Sequence, residues 1–252
     1  MDLKIVLLSG WIGAGKDTVA DLLVKHHGFQ KFSFAKDLKD ETAKEFGIPR
    51  EWFDDQTMKR APWLNYPAFA KDEWAKATMP MLFKHLSTID GQQPTEQMTM
   101  HVDFRGRVCQ ESRSVDETGC VKYLIEKLFH TPRSLLILVG SSKRVVDPDW
   151  WVNKLYAKMP HTANCVISDF RYPSEFERLN ELQPNRIVTV RIEGRVETTN
   201  TDASERALDD FDFRHRVDNR EGTSKEELLE RTEMALGLGS EHVTKRPRED
   251  VA

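Results

Sequence analysis

The run Gly10-Trp11-Ile12-Gly13-Ala14-Gly15-Lys16-Asp17-Thr18 holds the residue types best suited to chemistry in this chain. Glycines at 10 and 15 followed by Lys16 match P-loop spacing. Such glycines let the backbone fold around a phosphate with successive N–H groups pointing inward, and a helix starting there adds positive potential. Gly13, Ala14, Gly15, Lys16, Asp17 and Thr18 are therefore expected to hold a nucleoside triphosphate, with Lys16 reaching its β- and γ-phosphates. Asp17 stands where Ser or Thr usually ligates magnesium. A carboxylate can take Mg²⁺ directly or through water, which leaves Thr18 for an α-phosphate. The competing reading is an ordinary glycine turn capping a helix.

The elements needed to position that turn are visible on both sides. Residues 3–8 form a short apolar run of the kind seen in buried parallel strands, and Val19, Ala20, Leu22, Leu23 and Val24 follow at helical spacing up to Gly28. Residues 29–34 alternate as a second strand, and Leu38, Ala43 and Phe46 mark a helix over 36–46. Residues 47–84 are irregular and carry Trp52, Trp63 and Trp74, and 87–119 are polar, with a hairpin expected around Arg105-Gly106. Val121, Leu124, Ile125 and Leu128 make a helical stripe, and Thr131-Pro132 opens another helix through Leu138. Strands are expected at 164–168 and 186–192, with a helix from Pro173 carrying Phe176, Leu179 and Leu182 between them. Thr223 with Glu226 reads as a capping box for a last helix through Leu236. Strands alternating with helices predict an α/β protein of the P-loop NTPase type, three layers around a mostly parallel sheet. The core is expected over 1–46 and 120–238, with a mainly irregular or helical insertion over 47–119 covering the substrate site and a polar tail at 239–252.

Several blocks together resemble the deoxynucleoside monophosphate kinases of large tailed bacteriophages. They are the loop with its Gly15-Lys16-Asp17-Thr18 ending, Phe32-Ser33-Phe34-Ala35-Lys36-Asp37-Leu38-Lys39, and Thr131-Pro132-Arg133 through Val139-Gly140 leading to Asp147-Pro148-Asp149-Trp150-Trp151-Val152. Further blocks are Val166-Ile167-Ser168-Asp169-Phe170-Arg171-Tyr172-Pro173-Ser174-Glu175, and Ala203-Ser204-Glu205 with Val217-Asp218-Asn219. Residues 50–119 match less clearly. Asp17 is expected in that family. The resemblance implies transfer of the γ-phosphoryl of ATP, with Mg²⁺, to a deoxynucleoside 5′-monophosphate, giving the diphosphate. It also points to Phe34 and Glu175 as substrate contacts, to a broad range of bases, and to a bacteriophage enzyme of deoxynucleotide metabolism.

Because the acceptor in such a reaction is already a phosphate dianion, no strong base is needed; cations must bring two anions together. Lys16 is the first. Asp169, ending an apolar strand, would organise Mg²⁺ in a Walker-B-like manner together with Asp17, or else it caps a helix. Arg171 would clamp the acceptor phosphate, or else it pairs with Glu175 at the surface. Arg133 in the first turn of a helix calls for a partner anion, or is simply solvated. Trp150 could lie against base or sugar, though tryptophans are as often core. Lys36, Asp37 and Lys39 follow the second strand, where acceptors often dock, or are an exposed first turn. Arg191 and Arg195 are among several candidates for a lid arginine.

Composition narrows the classes. The 252 residues are 39% hydrophobic and 31% charged, and 41 acids against 37 bases give a net charge of -4. That argues against a chain built to coat nucleic acid or anionic membrane. Cys109, Cys120 and Cys165 show no paired spacing, so neither a disulfide framework nor a zinc knuckle is indicated and a reducing cytoplasm is expected. Apolar runs at 5–8 and 135–139 are far short of the ~18 residues of a membrane span, and acidic Asp2 before a strand-like run is not a signal-peptide pattern. A kinase resembling dephospho-coenzyme A kinase is the nearest alternative; a GTPase-like switch or a DNA-handling ATPase is a more distant one. The Asn-Lys-x-Asp base-reading signature is absent, and the eight histidines form no His-x-x-x-His pair. Three tryptophans over 47–84 suggest a homodimer that would cover them.

Overall fold

All five residues of Ile5–Ser9, strand β1, are buried, as a strand covered on both faces requires. The computed structural model describes residues 3–61, 81–82, 84–85, 88, 131–194 and 206–238. The chain divides into two compact units, Met1–Phe34 with Leu155–Ala252, and Ala35–Lys154.

In the first unit, β1 sits at the centre of a five-stranded sheet with β2 (Gln30–Phe32), β3 (Cys165–Ile167), β4 (Ile187–Gly194) and β5 (His215–Asn219). The order is β2-β3-β1-β4-β5, and every neighbouring pair is parallel. Ile5 is in register with Cys165 on one side and Ile187 on the other. Strand periodicity then separates the faces. Val6, Leu8, Val166, Val188, Val190 and Val217 pack with Val19, Ala20 and Leu23 of α1 (Lys16–His27) and with Leu228 and Leu236 of the C-terminal helix, Lys225–Leu236. Ile5, Leu7, Cys165 and Ile167 of the alternate register are equally buried, and the helix Pro173–Leu182 lies against β4. The expected α/β three-layer arrangement with a parallel sheet is therefore observed.

The second unit is helical among its described residues. It contains α2 (Phe34–Phe46, whose first residue belongs to the first unit), a 3-10 turn at Arg50–Phe53, α3 (Gln56–Arg60) and α4 (Pro132–Val146). It also holds most of α5 (Trp150–Tyr156). Ala43, Phe46, Ile48, Phe53, Leu135 and Val139 form its core, and Trp52 packs against them. Glu41 is bridged by Lys143 at 2.9 Å and by Lys154, while His85 joins Ser142 (2.5 Å) to Glu45 (3.0 Å). With the helices Pro173–Leu182 as α6 and Lys225–Leu236 as α7, α2 and α4 fall outside the sheet unit, although the sequence reading groups 1–46 and 120–238 together.

Several local expectations need correction. The last capping box is Ser224 with Glu227, one residue beyond Thr223 and Glu226: Glu227 N donates to Ser224 Oγ at 3.1 Å, and Ser224 N to Glu227 Oε2 at 2.9 Å. Helix α4, capped by Thr131 as expected, continues to Val146 rather than stopping at Leu138. Strand β5 and helix α5 are not anticipated by the periodicity, because both are short and β5 has only Val217 and Asn219 buried. The hairpin at Arg105-Gly106, the stripe Val121–Leu128, Arg195 and the tail 239–252 lie outside the described residues.

Candidate functional site

The turn between β1 and α1 is built from three glycines with positive φ, Gly10 at 145°, Gly13 at 81° and Gly15 at 98°. Ala14 N donates to Trp11 O at 3.0 Å and closes the turn on itself. Two strand ends support it from behind. A Cβ on Gly10 would lie 2.4 Å from Ile192 O of β4, and one on Gly194, the last residue of β4, would lie 2.4 Å from Ala14 Cα. Asn219, the last residue of β5, donates Nδ2 to Ala14 O at 2.8 Å and leaves no room for a side chain at Gly15. The loop therefore rests on the C-terminal ends of β4 and β5, the end of a parallel sheet where ligands bind.

Helix α1 begins with Gly15 as N-cap and no side-chain acceptor, whereas Asp55, Thr131 and Ser224 cap α3, α4 and α7. Its first N–H donors and dipole face the turn without a side-chain cap, and Asp17 is the acidic residue of its first turn. Lys16 Nζ turns onto two loop carbonyls, Gly10 O at 2.6 Å and Trp11 O at 2.9 Å, so the ammonium already stands over the cradle.

Asp17 is the open position of this site, with a side chain 77% exposed, and Lys31 of β2 reaches its Oδ1 at 2.9 Å. Partial burial raises the Asp17 carboxyl, but the Lys31 ammonium, the Ser168 hydroxyl and Lys16 hold it on balance below the ordinary carboxylate range. Thr18 is half-buried beside it. Asp169, just beyond β3, accepts from Phe34 N at 2.9 Å through Oδ1 and from Ser33 Oγ at 2.9 Å through Oδ2. These contacts tie down the start of α2 rather than the helix that follows Asp169. Among the described residues no group of three or more His, Cys, Asp or Glu side chains gathers as a metal cage. Mg²⁺ in phosphate sites is held by one or two carboxylates plus phosphate oxygens, so an exposed Asp17 beside Lys16 fits it.

Glu175 is 3% exposed, and its Oε2 accepts from the backbone N–H groups of Arg171 (2.8 Å) and Tyr172 (3.1 Å). Its carboxylate thus serves the start of α6. Arg171 is anchored through that backbone N–H, two residues past Asp169. In the second unit, Lys36 pairs with Asp40 at 3.2 Å and Lys39 with Asp54 at 2.9 Å, within a network completed by Arg50. Asp37 is buried, and Arg133 is half-buried in the first turn of α4. The paired tryptophans divide: Trp151 is core, donating Nε1 to Gly140 O at 3.2 Å, while Trp150 is half-buried under Lys143 Nζ, 4.7 Å from its ring, with no partner for Nε1 among the described residues.

Lys31, Gly194 and Asn219 were not anticipated as site residues, since their roles come from tertiary neighbours. Arg191 is not lid-like. It lies on β4 and is 9% exposed, with Nη2 on Asp209 Oδ1 at 3.3 Å and its guanidinium near the Trp11 and Phe213 rings at 5.9 and 5.5 Å.

No helix among the described residues is long and apolar enough to cross a membrane. No family model matches the chain, and no curated protein matches it. Among solved structures, an unliganded sugar kinase from Janibacter sp. HTCC2649 aligns over 94% of this chain and 95% of its own, at 10% identity and a TM-score of 0.33. At that similarity it carries no argument about function.

Proposed function

We propose that this protein transfers the γ-phosphoryl group of ATP to a deoxynucleoside 5′-monophosphate. The observation that carries the reading is the Gly10–Thr18 turn itself: three positive-φ glycines, an uncapped helix start and Lys16 over the cradle, all backed by Gly194 and Asn219. The sequence resemblance supplies the acceptor class, and Asp17 in place of the usual hydroxyl supports that assignment.

In this reading the loop N–H groups and Lys16 neutralise the β- and γ-phosphates, where charge builds as the phosphoryl group moves. Mg²⁺ would supply further charge neutralisation there, and Asp17 and Asp169 are the carboxylates that would hold it. Asp169 also ties the β3 end to Ser33 and Phe34, and Glu175 fixes the backbone that carries Arg171. Arg171 then meets the acceptor phosphate in a bidentate contact. The acceptor roles of Lys36, Asp37, Lys39 and Trp150 and the catalytic role of Arg133 rest on residue type and place along the sequence.

The test is a coupled assay for ADP with ATP and Mg²⁺ over a panel of deoxy- and ribonucleoside monophosphates plus dephospho-coenzyme A. ADP formation that depends on a deoxynucleoside monophosphate, with the diphosphate recovered as product, is the expected result. ADP release at the same rate with and without acceptor would sink the kinase reading and favour an ATPase.

A further inference from the structure

Asp17 and Asp21 are four residues apart, one turn of α1, and so share a face of the helix. Lys31, reaching over from β2, places a single Nζ 2.9 Å from Asp17 Oδ1 and 2.9 Å from Asp21 Oδ1. One ammonium has three donors and can hold both carboxylates at once. Exposure is uneven: the Lys31 side chain is 31% exposed, against 77% for Asp17 and 69% for Asp21. The cation is the sheltered member, and the carboxylates are the open ones. Pairs this exposed contribute little to folding, so stability is a poor account of why the arrangement exists.

Its place gives a better one. Asp17 directly follows the phosphate-binding Lys16, and a monovalent cation in contact with its Oδ1 competes there with any divalent one. Asp21 offers Lys31 a second partner at the same distance, so releasing Asp17 does not strand the ammonium. The geometry points to Lys31 as a positioning residue that holds the Asp17 carboxylate against premature metal binding and falls back on Asp21 when Asp17 is taken up. This rests on the proposed role of Asp17 toward Mg²⁺ and adds a control on it: without Lys31 the position binds divalent cations before nucleotide arrives.

The probe is Mn²⁺ in place of Mg²⁺, titrated by electron paramagnetic resonance into the full chain without nucleotide. Lys31→Met should tighten Mn²⁺ binding about fivefold or more by removing an adjacent positive charge. Lys31→Arg should stay near the wild type, and the gain should vanish in Lys31→Met/Asp17→Asn. Unchanged or weaker binding by Lys31→Met overturns the inference, as does a gain that survives loss of Asp17. Phosphotransfer by the wild type is scored separately, so failure of the kinase reading with the Mn²⁺ effect intact is distinguishable from failure of this one.

Discussion

The two units place their polar groups differently. Around the Gly10–Thr18 loop and the strand ends of the sheet unit, several polar side chains close on backbone: Asn219 on Ala14 O, Asp169 on Phe34 N, Glu175 on the N–H groups of Arg171 and Tyr172, and Lys16 on Gly10 O and Trp11 O. In the helical unit, the charged groups of α2 close on other side chains: Glu41 on Lys143 and Lys154, Glu45 on His85, Asp40 on Arg50, which also takes Asp54. A side chain fixed to backbone holds a loop in one shape, which a phosphate cradle needs before its ligand arrives. Side-chain pairs between helices hold segments together with less demand on any one backbone path.

The comparison breaks most readily at Gly194. Gly194→Ala sets a Cβ 2.4 Å from backbone Ala14 Cα, so the loop or the strand end must shift. ATP affinity should fall ~100-fold for a stability loss of only about 1–3 kcal/mol, the usual cost of overpacking. Calorimetric titration beside thermal melting checks this; wild-type affinity in the variant would show that β4 does not shape the loop.

Glu41 gives the complementary test. Burial raises its carboxyl, but Lys154 and Lys143 hold it on balance below the ordinary value. A lowered folded-state value means that the contribution is complete above the ordinary carboxylate range and is lost as pH falls through the lowered value. Glu41→Gln should therefore cost about 1–2 kcal/mol at neutral pH, flatten the acid limb of the stability curve and leave ATP affinity unchanged. Equal stability of variant and wild type at neutral pH would remove this bridge from the account.

The smallest effect concerns Cys165 in β3. It is fully buried, and burial pushes its thiol up to about 11 against a small opposing pull from Arg186. Alkylation at pH 8, followed by peptide mapping, should modify Cys165 only after unfolding; prompt native labelling would mean that the sheet opens at β3.

What the sequence made legible was local. The Gly10–Thr18 turn, its flanking strand and helix, and the Thr131 cap depend on residues within a few positions, and all are observed. The last cap slips by one because Thr223-Ser224 and Glu226-Glu227 offer two hydroxyl–carboxylate registers that spacing alone cannot separate. Strand β5 is hidden because an edge strand reading His-Arg-Val-Asp-Asn carries little apolar signal. Lys31, Gly194 and Asn219 act through partners in other elements, so no window of sequence exposes them. Arg191 looks like a mobile cation by type and is a sheet-bound one by burial.

The central claim is that Gly10–Thr18 holds nucleotide phosphates through Lys16. Calorimetric titration of ATP into the wild type and into Lys16→Met tests it most directly. The account predicts binding by the wild type that weakens ~100-fold or more in the variant, with the melting temperature little changed. No ATP binding by the wild type, or equal affinity in Lys16→Met, would contradict it.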